Sequence, residues 1–186
     1  MAPEEIRAVL EQAGAERVEA ADAALRGFHV DATVPAGALR AAVQALRDRE
    51  FLIEDVTAVD VAPRMMAVYH FARVDTPCRV QLRVFTDRDE PAVPSVQDIY
   101  PGANWHERET HDFYGIVFEG HPDLSPLILP EDAGDLRPLR KKEKKLKELG
   151  AVVPELAPAG EEAPAPQAPA GKPEKTRPTP SDEADA

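Results

Sequence analysis

The chain has 186 residues and a formal net charge of −12 at pH 7, which allows one domain with a real core plus appendages. Residues 1–150 hold 19 Lys and Arg against 27 Asp and Glu, and an acidic body argues against general nucleic-acid binding, which needs positive charge facing the phosphates. Cys78 is the single cysteine, so a disulfide framework within the chain and a cysteine-ligated iron–sulfur cluster are both excluded.

Pro3 to Ala13 is read as a first helix, because Ile6, Val9, Leu10 and Ala13 recur on one helical face and Gly14 follows as a stop. Phe28–Val34 alternates as a half-buried strand. Pro35 to Arg49 predicts a second helix, with Pro at its start and an apolar stripe of Leu39, Ala42, Val43 and Leu46. Phe51–Val61 is β-branched and apolar, a strand or a bent strand pair. Met65–Val74 and Cys78–Thr86 are two further strands, made antiparallel by the short Asp75-Thr76-Pro77 connection. Cys78, Val80, Leu82 and Val84 are expected to face inward, with Cys78 a small buried hydrophobe.

Asp87–Pro94 reads as a charged loop and Ser95–Tyr100 as a short helix interrupted by Pro101-Gly102. Asn104 with Glu107 three residues on has capping-box spacing, which predicts a third helix to about Tyr114, ended by Gly115. The expected fold is α+β: a mainly antiparallel sheet with helices packed on one face, then an extended C-terminal segment and a disordered tail. The expected divisions are 1–124 for the α+β domain, 125–150 for an extended docking segment with a basic helix, and 151–186 for an Ala/Pro/Glu-rich tail that cannot bury enough apolar area to order itself.

The scattered glycines give neither a dinucleotide fingerprint nor a phosphate loop, and no nucleophile elbow is present. His106 and His111 lie five apart, which separates them by about 140° on a helix and argues against a shared metal. Glu107, Glu109 and Asp112 cluster, and local pairing predicts Arg108 with Asp112 and Glu107 with His111 at i,i+4. No apolar run is long enough to cross a bilayer and the acidic N-terminal stretch has no signal-peptide core. The chain is therefore expected on the cytoplasmic side, with membrane association only through partners.

The stretch Trp105-His106-Glu107-Arg108-Glu109-Thr110-His111-Asp112-Phe113-Tyr114-Gly115, continued to His121-Pro122, resembles the signature of a complex I (NADH–quinone oxidoreductase) family, that of the small hydrophilic peripheral-arm subunit. Glu107, Arg108, Glu109, Asp112, Phe113, Tyr114, Gly115 and His121 all fit that pattern. The likeness covers about residues 25–140 and is strongest over 100–130. Ser125-Pro126 departs from it where the family carries a basic residue, and Lys142-Glu143 departs again after Arg137-Pro138-Leu139-Arg140-Lys141.

The resemblance implies an accessory subunit with no catalytic, cofactor-binding or metal site of its own. NAD, FMN, iron–sulfur clusters and quinone then belong to other subunits. The partners it implies are the large quinone-site subunit and a neighbouring iron–sulfur subunit, in a proton-translocating complex on the cytoplasmic side of the cell membrane. The docking surface is expected at Trp105, Glu107, Arg108, Glu109, Asp112, Phe113, Tyr114, Gly115, His121, Pro122, Arg137 and Arg140. Arg137–Lys147 carries seven basic residues in eleven, which fits a solvated helix end or contact with an acidic surface or phospholipid headgroups. Other readings stay open: a subunit of a related F420H2-type or ferredoxin-type oxidoreductase or membrane-bound hydrogenase, a free-standing adaptor that kept the fold, and a hydrolase using Glu109 and Asp112.

Overall fold

A computed structural model describes residues 3–153. The chain opens with α1 (Pro3–Gln12), β1 (Arg17–Ala20), the single turn α2 (Ala23–Arg26) and β2 (Val30–Thr33). A 3-10 turn over Ala36–Ala38 leads into α3 (Leu39–Arg47). The long strands β3 (Leu52–Ala62), β4 (Arg64–Arg73) and β5 (Cys78–Asp87) follow as a meander. Then come β6 (Ala92–Pro94), α4 (Ala103–Tyr114), β7 (Val117–Glu119), β8 (Lys147–Glu148) and α5 (Leu149–Val152).

Six strands form one sheet in the order β1-β2-β5-β4-β3-β8, and β6 pairs with β7 in a small second sheet. The β3–β4, β4–β5 and β1–β2 ladders are antiparallel, whereas β2–β5 and β3–β8 are parallel. Period-two patterning sorts the side chains between the two faces. Val80, Leu82 and Val84 of β5 and Ala67, Tyr69 and Phe71 of β4 enter the main core. α1 contributes Ile6 and Leu10 to it, one turn apart, and α3 contributes Leu39, Ala42, Val43 and Leu46. Cys78 is buried there as expected. The opposite face carries Met66 and Val68, on which Val153 packs after α5.

The α+β sandwich agrees with the expected class: α1 and α3 bury their apolar stripes in the main core, to which α4 adds Ala103 with Tyr114 packed against it. α5 is the exception, because its neighbour Val153 covers the other face. β1, β6, β7 and β8 come from stretches too short to display an alternation. Ser95–Tyr100 is a turn and not a helix: Ile99 and Tyr100 donate to the Val96 carbonyl, and Pro94 and Pro101 close both ends. The basic run does not form a helix. It is irregular apart from a 3-10 turn at Glu143–Lys145 and the β8 pairing of Lys147 and Glu148 with Val61 and Ala62. Of the expected tail, 151–153 are described and continue α5, and the rest lies outside the described residues.

Candidate functional site

α4 carries three charged side chains, Glu107, Arg108 and Asp112, that bond to other parts of the chain. It begins at Ala103 with Gly102 as its cap residue, so Asn104 lies inside the helix and does not cap it with Glu107. Ala103, Glu107 and Thr110 fall on one stripe, at i, i+4 and i+7, and all three are buried. Glu107 therefore points into the protein. Its carboxylate accepts from the Ser95 hydroxyl at 2.6 Å and from the Val96 N–H at 2.8 Å. Burial pushes its pKa up to about 7, against the pull of those two donors and of Arg40. Among the described residues the buried Tyr69 hydroxyl has no hydrogen-bond partner, and its pKa is raised by burial and then by the charge of Glu107.

His121 approaches from the turn after β7. Its Nε2 lies 3.9 Å from Glu107 Oε2 and 3.3 Å from the Asn104 carbonyl. The Asp123 N–H donates to Nδ1 at 3.1 Å, which leaves the ring hydrogen on Nε2, directed at Asn104 and Glu107. Arg40 of α3 completes the surroundings, reaching the Ser95 carbonyl at 2.6 Å and both oxygens of Asp98.

The expected i,i+4 pairs do not form. Arg108 donates to the Ser125 carbonyl, the Ser125 hydroxyl and the Pro126 carbonyl, each at 3.1 Å. Asp112 Oδ2 accepts the N–H groups of Leu127, Ile128 and Leu129 at 2.9, 2.8 and 3.1 Å. Burial raises the Asp112 pKa, but these three donors outweigh it and hold the group below its ordinary value. An exposed helix would favour local pairs. α4 is instead half-buried, so its charges answer backbone groups that would otherwise be unsatisfied.

The helix ends at Gly115, with φ 79° and its N–H on the His111 carbonyl. A side chain there would meet Arg137 at 3.0 Å. Leu139 N–H then bonds the Phe113 carbonyl at 3.2 Å. Arg140 reaches the Arg88 carbonyl, while Asp60 takes Arg88 and the Lys141 N–H. Glu107, Arg108, Asp112, Gly115, His121, Arg137 and Arg140 thus all contact other parts of the chain, with Glu107 brought near His121 and Gly115 near Arg137 while Arg140 serves apart at Arg88.

Trp105, Glu109 and Pro122 remain on the surface, and Phe113 and Tyr114 are half-buried. Trp105 is 69% exposed and Ile128 is 58% exposed. Ser95, Tyr69, Asp60 and Arg88 were not legible as partners, since their roles depend on long-range backbone placement. The stripe of Ala103, Glu107 and Thr110 was the available signal for a buried Glu107.

A protein-family model described as the respiratory-chain NADH dehydrogenase 30 kDa subunit matches residues 32–148. A subunit of the F(420)H(2) dehydrogenase of Methanosarcina mazei is 47% identical over 88 residues, 46% of this chain and 56% of that protein. A subunit of the NADH-quinone oxidoreductase of Roseiflexus sp. is 44% identical over 92 residues, 48% of this chain and 52% of that protein. The chain spans about half the length of these curated relatives. Among solved structures, a chain of the membrane-bound sulfane sulfur reductase, an archaeal respiratory membrane complex, superposes with TM-score 0.63 and 30% identity, covering 82% of this chain and 89% of that one. The trypsin-resistant fragment of Nqo5 superposes with TM-score 0.55 and 27% identity, covering 66% of this chain and all of the fragment.

Proposed function

The chain belongs to the respiratory-chain NADH dehydrogenase 30 kDa subunit family, and from that premise we propose that it is an accessory subunit without a redox centre in a membrane-associated quinone-reducing oxidoreductase. It packs on the large quinone-site subunit beside an iron–sulfur subunit, at the cytoplasmic side of the cell membrane. NAD, FMN, the iron–sulfur clusters and quinone are carried by those partners, and so is proton translocation. Among the described residues no helix is long and apolar enough to cross a membrane, so attachment runs through the complex.

The observation that carries this reading is the division of labour on α4. Glu107, Arg108 and Asp112 are consumed by bonds within the chain, while Trp105 stands 69% exposed on the same helix. Ile128, in the segment that Asp112 fastens, is also exposed. Exposed large aromatic and aliphatic side chains held on a rigid base are what interface hot spots are made of. The docking surface is therefore centred on Trp105, Glu109, Pro122 and Ile128, with the buried charges acting behind it as braces.

A second reading concerns the electron donor. Relatives named for F(420)H(2) dehydrogenase and NADH-quinone oxidoreductase match to similar extents, which supports a module that serves complexes with different donors.

Trp105→Glu and Ile128→Glu test the surface. Both side chains are exposed, so the free variants keep wild-type melting and far-UV circular dichroism. Loss of a central hot spot costs about 2 kcal/mol or more, and co-purification with the large quinone-site subunit weakens by more than about tenfold. Undiminished co-purification of both variants rejects this surface.

A further inference from the structure

Residues 1–140 contain no lysine, and every basic residue there is an arginine. Five lysines then fall within seven residues, Lys141, Lys142, Lys144, Lys145 and Lys147. Arginine suits fixed bidentate pairs and lysine an open point charge. The structure divides them that way. Arg40, Arg79 and Arg88 each grip a carboxylate through two nitrogen–oxygen contacts or more. All five lysines are exposed, and among the described residues none has a carboxylate within salt-bridge distance.

The backbone beneath these lysines is anchored. Lys141 N–H bonds Asp60 at 2.7 Å, Lys145 N–H bonds the Lys142 carbonyl at 2.8 Å, and Lys147 joins the sheet edge beside Val61. The result is a fixed strip of positive charge on a protein of net charge −12. Six residues beyond Lys147, Val153 is buried against Met66 and Val68, which pins the chain next to the strip. Residues 154–186 follow, and they hold seven Asp and Glu against three Lys and Arg, beginning with Glu155, Glu161 and Glu162.

We propose that the acidic segment 154–186 docks in cis on the lysine strip Lys141–Lys147. Its tether supplies an effective concentration on the order of millimolar, which a free polyanion at ordinary concentration does not reach. The contact is electrostatic between solvated groups, so salt weakens it as the screening length falls from about 10 Å at 0.1 M to about 3 Å at 1 M. Occupied in this way, the strip is shielded from other anionic surfaces. The proposal does not depend on which oxidoreductase the chain serves.

The test is a nitroxide on the full chain at Ala163→Cys, with wild-type protein put through the same labelling to measure any background from buried Cys78. Amide signals of the five lysines are followed by nuclear magnetic resonance. At about 20 mM salt they lose about half their intensity or more, while amides of α1 do not, and at about 1 M salt the intensity returns. Replacing the five lysines by glutamine abolishes the effect. The salt titration needs no change in the strip, so it stands even if that variant misfolds. No broadening at low salt, or broadening spread evenly over the body, overturns the proposal. So does a strip that shifts only on adding vesicles containing phosphatidylglycerol, which assigns it to a lipid surface.

Discussion

At the scale of single residues, Glu107 and Asp112 are two buried carboxylates set to opposite protonation behaviour by the balance of burial against donors. Deep burial outweighs the two donors of Glu107, so its folded pKa rises to about 7 from an ordinary 4.5. Between those values the folded chain holds a proton that the unfolded chain has released. The stability linked to it is complete below about 4.5 and is lost as pH rises through 7. The difference in unfolding free energy between wild type and Glu107→Gln should therefore fall, by on the order of 3 kcal/mol, from pH 4.5 to pH 8. Urea unfolding across that range measures it, and a flat difference would show that Glu107 does not titrate there. Asp112 has the reverse sign, because three N–H donors hold its pKa below 3.8. Asp112→Asn should cost about 1–3 kcal/mol at neutral pH. That cost should shrink as pH falls through the folded pKa of the wild-type group, which a parallel acid titration of both proteins would reveal.

At the scale of elements, α4 works as a clamp on three separate stretches: Ser95–Val96, the turn at His121, and Ser125–Leu129. Arg108→Glu should leave the core intact, since the hydrogen bonds of Arg108 among the described residues go to Ser125 and Pro126, outside the core. Hydrogen exchange should then quicken at residues 127–129 and not in β4; quickening in β4 as well would place Arg108 in the core's support. Gly115 adopts a left-handed conformation against the Arg137 side chain. Gly115→Ala should cost about 1–2 kcal/mol, read as a lowered melting temperature. α1, α3 and the β3–β5 meander were legible in the sequence because each is a long element of nine residues or more with a clear apolar face, or, in β4, apolar residues on both faces. β1, β6, β7 and β8 were not, since a strand of two to four residues shows too little alternation to read. The clamp was half legible. The motif marks the right helix, but backbone acceptors such as Ser125 and Pro126 carry no sequence signature, so residue types and spacing alone pair its charges with each other.

At the scale of the whole molecule, the domain is closed at its C-terminal side by the second face of the sheet. Met66 and Val68 alternate with the core-facing residues of β4, so they point away from α1, α3 and α4. Within this smaller cluster, Val59 and Phe85 are the neighbours that the first 140 residues provide. Leu149, Val152 and Val153 supply the rest, after β8 has brought the chain back to the edge of β3. Composition alone placed the end of the fold at 150, because a three-residue apolar patch is invisible beside an Ala/Pro/Glu-rich run. Chain ends near two positions should therefore behave differently. A chain stopped after Val153 keeps every described contact of this face and should melt within error of the full protein. One stopped after Glu148 loses a fully buried valine and its neighbours, a loss of about 1.5–3 kcal/mol for the valine alone. Calorimetry of the two truncations decides the matter: equal melting temperatures would mean that α5 adds nothing to the fold, and a drop only in the shorter chain would set the boundary at Val153.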